Sequence, residues 1–201
     1  MCGRYYVDDE TAREIEKLVR QMDERKRQAS LQAINRIVAG DLYPGKDAPV
    51  LSVKDGSIVC EWQRWGFPGF EGNRLIFNAR CESALEKSMF QDGIRHRRIV
   101  IPASWFYEWN SQKEKNTFCR KDMSTLFMAG IGRRYEDGER FVILTTAANA
   151  SMEPVHDRMP LILERQDITE WMFRDAKTES ILHRTPCLLE RKTEYEQLSL
   201  F

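Results

Sequence analysis

Two Asp-Gly pairs limit what this chain can fold into. Asp55-Gly56 lies between apolar runs at 50–53 and 58–62, and Asp137-Gly138 lies between runs at 125–133 and 140–147. Tight hairpin loops need positive φ, which Gly and Asp tolerate, and such loops join antiparallel neighbours. Residues 2–7, 99–101, 105–109, 117–121 and 161–163 also read as short strands. Helical spacing occurs between them: Ile15, Leu18, Val19 and Met22 fall at i, i+3, i+4 and i+7. Thr11 and Glu14 are spaced as a capping box, Leu31, Ile34 and Val38 extend the stripe, and Gly40 suits the position after a helix. Further helices are expected at 82–90, 167–173 and 176–183, with an extended tail over 186–200. Short strands with hairpins and a few flanking helices predict an α+β fold with a mainly antiparallel sheet, as one domain over 1–201.

A chain of 201 residues can bury a sizeable core, and 42% hydrophobic with 31% charged residues is a globular balance. No apolar run approaches the roughly 20 residues of a membrane span, and no signal peptide opens the sequence, so a cytoplasmic protein without membrane contact is expected. The five cysteines are odd in number and widely spaced, which supports neither a disulfide framework nor a metal site. Thirty-one basic and 31 acidic residues cancel, so any phosphate must be held by a local patch. Arg95-His96-Arg97-Arg98 and Arg133-Arg134 are the candidates.

The chemistry begins at Met1-Cys2-Gly3-Arg4. Trimming of an initiator Met before a small residue leaves Cys2 with a free α-amine and a thiol on adjacent carbons. Their ordinary pKa values are about 8 and about 8.5, so both groups are partly unprotonated near neutrality. A 1,2-aminothiol closes a thiazolidine on an aldehyde, or attacks an amide carbonyl with its amine as base. Three further polar positions interrupt apolar stretches. Asn78 follows the run 75–77, with Arg80 two residues on, an amide and a guanidinium suited to carbonyl and phosphate. Glu108 sits in Trp105-Phe106-Tyr107-Glu108-Trp109. Alternation sets it opposite Tyr107 and Trp109, and an inward carboxylate would suit proton transfer. His156 lies between a strand end and Arg158-Met159-Pro160, a place for a proton shuttle.

These pieces resemble the SOS response-associated peptidase (SRAP) domain. The matching segments are Met1-Cys2-Gly3-Arg4-Tyr5, Arg64-Trp65-Gly66-Phe67, Asn78-Ala79-Arg80-Cys81-Glu82-Ser83, Ile101-Pro102-Ala103 with Phe106-Tyr107-Glu108-Trp109, and His156-Asp157-Arg158-Met159-Pro160, in family order. The resemblance implies a barrel-like β core with flanking helices and no cofactor or metal. It also implies a sensor of abasic sites in single-stranded DNA that is crosslinked through Cys2, with self-processing peptidase and strand-cleaving lyase activity. Asn78, Glu108 and His156 would complete the catalytic set. Arg4, Arg80, Thr145 and Arg158 would contact DNA, and Trp65 would stack on a base. A monomer working at the nucleoid, beside replication-fork proteins, follows from the same resemblance. Two departures stand out: Ser104-Trp105 replaces an acidic residue and Gly, and Phe70 is the nearest aromatic where a second Trp is usual. An N-terminal-nucleophile amidohydrolase and a non-catalytic single-strand binder are the competing readings.

Overall fold

In the computed structural model, which describes residues 2–19, 24–69 and 74–193 (the side chains of 24–26 excepted), both Asp-Gly pairs sit at hairpin turns. Met1, Met22, Phe70 and 194–201 lie outside the described residues, and with them the expectations placed on them. In chain order, β1 (Tyr5–Val7) leads into α1 (Asp9–Val19) and α2 (Glu24–Ile34). Next come β2 (Gly40–Leu42), β3 (Asp47–Lys54), β4 (Ser57–Trp65), β5 (Phe67–Pro68), β6 (Leu75–Ile76) and β7 (Asn78–Arg80). α3 (Cys81–Ala84) and α4 (Ser88–His96) precede β8 (Arg98–Ala103), β9 (Trp105–Trp109), β10 (Lys115–Cys119), β11 (Leu126–Tyr135) and β12 (Gly138–Ala147). The chain continues through β13 (Arg158–Pro160), β14 (Ile162–Leu163), α5 (Asp167–Phe173), α6 (Asp175–Leu182) and β15 (Glu190–Thr193).

The β3–β4 hairpin turns at Asp55 (φ 46°) and Gly56 (φ 73°), with Lys54 opposite Ser57. Both φ values are positive, as a type I′ turn requires. Pairing then runs β12–β4–β3–β8–β11 and returns from β11 to β12, which closes a barrel. Closure leaves no bare edges among these strands. β12 is parallel to β4 and β7, whereas the other pairings are antiparallel. A second sheet of order β15-β10-β9-β1-β2 carries the N-terminal strand. The fold is therefore the α+β, barrel-like, mainly antiparallel one expected.

Period-two alternation divides the barrel strands between two cores. Phe141 and Ile143 of β12, Ile99 and Ile101 of β8, and Met128 of β11 pack with Cys2, Tyr5 and Phe106 from the N-terminal segment and second sheet. The intervening Val142, Leu144, Val100 and Ala129 pack under the helices, against Ile15, Ile94 and Trp171. Two helix boundaries differ from expectation. Asp8, not Thr11, caps α1: its Oδ1 accepts from the Thr11 backbone N–H at 2.9 Å, a position that favours a carboxylate. Glu14 is taken up by Lys17 and Arg165 instead of folding back on the cap. α2 ends at Ile34, and Gly40 begins β2 rather than ending a helix. The helix expected at 82–90 is two, α3 and α4.

Two outcomes follow. A Cβ on Gly130 would sit 2.4 Å from Ile101 Cδ1 and 2.8 Å from the Val142 carbonyl. Gly130→Ala should destabilise the fold by about 1–3 kcal/mol, read from urea unfolding; an unchanged midpoint would refute the close packing. Burial pushes the Cys60 and Cys81 thiols from 9.0 up to about 12. Unfolded thiols ionise first, so this stability is intact below pH 9 and is lost as pH rises toward 12, at up to about 1.4 kcal/mol per unit and thiol. Cys60→Ala should flatten that slope in urea unfolding across this window; an identical slope would refute the assignment.

Candidate active site around Cys2

β1 runs between β2 and β9, with Tyr5 opposite Phe106. The ladder continues one step outward, where the Tyr107 N–H donates to the Arg4 carbonyl at 3.0 Å. Extending the register brings Gly3 opposite Glu108, so Cys2 emerges beside that carboxylate. Glu108 shares the inner face with Phe106 and is 5% exposed, while Trp109 points outward at 36%. The alternation left open in the sequence thus resolves with Glu108 inside. Cys2 is 1% exposed, its Sγ 3.9 Å from the Arg4 carbonyl. Burial, and then the nearby Glu108 charge, push its thiol up to about 12. A second negative charge beside the Glu108 carboxylate is costly, which adds to the effect of burial on the thiol.

Asn78 comes from across the molecule. β7 lies parallel on β12, Asn78 opposite Ile143, and its Nδ2 donates to the Cys2 carbonyl at 3.0 Å. Its Oδ1 is buried and has no hydrogen-bond partner among the described residues. The preceding carbonyl is fixed as well: Trp65 Nε1 donates to Phe77 O at 2.9 Å. The Trp65 ring lies parallel to Phe141 at 6.1 Å and tilts against Tyr5 at 5.1 Å. Trp65 is 0% exposed, which corrects the base-stacking role expected of it. No face of the ring is open; it positions the Phe77–Asn78 backbone instead.

His156 occupies the turn before β13. Its Nδ1 lies 3.0 Å from the Arg158 backbone N–H and 2.7 Å from Asp157 Oδ1. One ring nitrogen cannot accept from the first and donate to the second at once. The backbone donor is fixed and Asp157 is well exposed, so the accepting, unprotonated Nδ1 is the better description, leaving Nε2 to carry the proton. Val155 and Met159, on either side, belong to the same apolar cluster as Cys2.

Arg158 forms a two-pronged pair with Glu82, at 2.6 and 2.8 Å, and also donates to the Thr145 carbonyl at 2.5 Å. This pair holds the Glu82 carboxyl below the usual carboxylate range. Thr145 is 0% exposed and its hydroxyl donates to Ala79 O at 3.4 Å, so the direct DNA contact expected of it is replaced by a bracing role. Arg4 pairs with Asp41, its guanidinium between the rings of Tyr43 (5.0 Å) and Tyr107 (4.9 Å). Arg80 is exposed and its side chain makes no hydrogen bond or ion pair among the described residues. Of the four expected arginine and threonine contacts, Arg80 is thus the uncommitted cation. Trp105 does not press on Glu108: it stacks outside on Tyr6 at 4.2 Å, while Ser104 bonds Thr11 at 2.8 Å.

Sequence reasoning missed Asp41, Glu82 and Tyr43, which fix the arginines. Glu82 was visible only as a neighbour of Arg80, and nothing in the sequence ties Asp41 to Arg4 before the Tyr6–Asp41 register is known.

The sequence profile described as SOS response associated peptidase (SRAP) matches residues 1–199. The Abasic site processing protein YedK of Escherichia coli is 31% identical over 99% of this chain and 92% of its own length. The Abasic site processing protein YoqW of Bacillus subtilis is 33% identical over 54% of this chain and 55% of its own. A crystal structure from Bordetella bronchiseptica has a TM-score of 0.74 at 21% identity, covering 96% of this chain and 99% of that one, and shows the shared fold. A second, from Bacteroides thetaiotaomicron, has a TM-score of 0.74 at 20% identity over 96% and 91%. The chain belongs to the SOS response associated peptidase (SRAP) family.

Proposed function

We propose that this protein processes abasic sites in DNA, capturing them covalently in single strands through Cys2 once Met1 has been removed. The observation that carries the reading is the convergence on Cys2 of a buried carboxylate, Glu108, and an amide, Asn78, that grips the Cys2 carbonyl. That grip leaves the amine and thiol of the residue free for chemistry. The relatives' printed names supply the substrate: they are abasic site processing proteins. A ring-opened abasic sugar presents an aldehyde.

The free Cys2 amine adds to the aldehyde carbon, and the resulting carbinolamine expels water to give an imine. The sulfur then adds to the imine carbon while nitrogen takes up a proton, closing a thiazolidine. Aldehyde plus aminothiol thus yields the ring and one water. A thiol held near 12 is protonated at neutral pH, so the ring closure needs a base beside it. Glu108 fills that role: it takes the thiol proton and supplies the proton on which the hydroxyl leaves. With Met1 still attached the nitrogen is an amide and forms no imine. His156 assists later proton transfers, in strand scission or reversal. Arg80, at the exposed end of β7, is the cation free to meet a phosphate.

Trimmed wild-type protein mixed with a single-stranded oligonucleotide carrying one abasic site should give a shifted band on a denaturing gel. Cys2→Ala and a form retaining Met1 should give none, and absence of the band from verified trimmed protein would sink the reading. Glu108→Gln should slow crosslinking by about 10²–10⁴-fold while DNA binding persists; a wild-type rate would remove Glu108 from the mechanism. His156→Ala should change crosslink reversal or scission more than final yield, followed on the same gel after chase with unlabelled oligonucleotide. Loss of DNA binding would make His156 structural instead.

A further inference from the structure

The barrel has a second mouth, away from Cys2. Along β12, Glu139 and Ile143 are four residues apart, about 13 Å of strand; Ile143 faces Asn78, whereas Glu139 lines a cavity of about 380 Å³. This is within the range of small-ligand sites, and barrel mouths are common places for them. The interior positions Gln63 of β4, Ile99 of β8 and Gly132 of β11 line it too, and none of the Cys2-site residues does.

Three features of this mouth remain unexplained by the fold. Gln63 is 5% exposed; its amide nitrogen, Nε2, donates to Glu61 at 2.9 Å, which fixes the amide orientation, yet Oε1 has no partner among the described residues. A buried acceptor left unpaired costs about 1–3 kcal/mol, so a donor from outside would be well received. A Cβ at Gly132 would stand 3.3 Å from Oε1, tighter than ordinary van der Waals contact, so a larger residue there would crowd the amide. At the rim, Phe173 is 39% exposed, and the side chains of Arg95 and His96 form no hydrogen bond or ion pair among the described residues, although His96 lies near the Asp175 carboxylate. They are not needed to satisfy the end of α4, because Arg98 already donates to the Ile94 and Arg95 carbonyls, at 2.8 and 3.2 Å. The other cations there are engaged: Lys54 with Glu61, Arg97 with Asp92 and Glu139, and Arg98 with Asp175.

We infer that this mouth is a second binding site, for a nucleotide unit bearing an amino-substituted base. The exocyclic amine donates to Gln63 Oε1, the base lies against Phe173, and the phosphate meets Arg95 and His96. An aromatic face, an acceptor and basic side chains are the elements by which proteins hold single nucleotides. The inference is independent of the reaction proposed at Cys2. The same chemistry is offered by a free nucleotide and by one unit of an intact strand.

Calorimetric titration of the full chain with deoxyadenosine monophosphate, and separately with a single-stranded oligonucleotide lacking abasic sites, distinguishes the two sources. The expected result is binding in at least one arm, weakened about tenfold or more by Gly132→Ala, which crowds the Gln63 amide, and by Arg95→Ala, which removes one exposed cation. Inorganic phosphate alone should bind more weakly than the nucleotide. Abasic-site crosslinking by both variants should match wild type, which separates this site from the Cys2 reading. Arg95→Ala keeps the test decisive if Gly132→Ala folds poorly. No binding in either arm, or binding indifferent to both substitutions, would overturn the inference.

Discussion

The hydrogen bond from Asn78 Nδ2 to the Cys2 carbonyl joins segments 76 residues apart, and the site exists because that bond can form. A chain end is ordinarily the least ordered part of a domain. Here it is held on both sides: β1 is laddered to β2 and β9, and Asn78 reaches it from the barrel. The donor is itself secured. β7 lies on β12 in parallel register, and Trp65 pins the preceding carbonyl between aromatic neighbours. Each link is modest, about 1 kcal/mol for an ordinary hydrogen bond, yet together they fix a segment that would otherwise fray.

Much of the fold was legible because it is carried by local signals. The Asp-Gly turns give the two hairpins, and apolar periodicity gives α1 and α5. Barrel closure was not legible from periodicity, since it rests on β12 pairing with β4 in parallel, a contact between strands distant in sequence. The cap of α1 went wrong for a simpler reason: Asp8 and Thr11 are both good caps, and only Asp8's bond to the Thr11 N–H decides between them.

The site was partly legible for a related reason. Asn78 and Glu108 were noticeable as polar residues in apolar company and Cys2 as an aminothiol behind Met1, and their contacts or burial connect them to one place. Trp65 shows the limit. As a residue type it suits a nucleic-acid surface as well as a core, and the aromatic environment of Tyr5, Phe77 and Phe141 settles the matter. The arginines show another: a guanidinium reads as a phosphate ligand until its carboxylate partner is known. Arg4 and Arg158 are paired with Asp41 and Glu82, whereas Arg80 forms no hydrogen bond or ion pair among the described residues and meets Glu82 only through its charge.

The burial of Cys2 bears on how the residue survives in the cell. Oxidants and disulfide exchange act on the exposed thiolate, and a thiol protonated up to about 12 and 1% accessible offers them almost none. Peroxide and glutathione would therefore pass over the sulfur, although it stands only one residue from the start of the chain. The same enclosure that raises the thiol acts as a shelf life, keeping the sulfur in its reduced form and out of reach of dissolved oxidants.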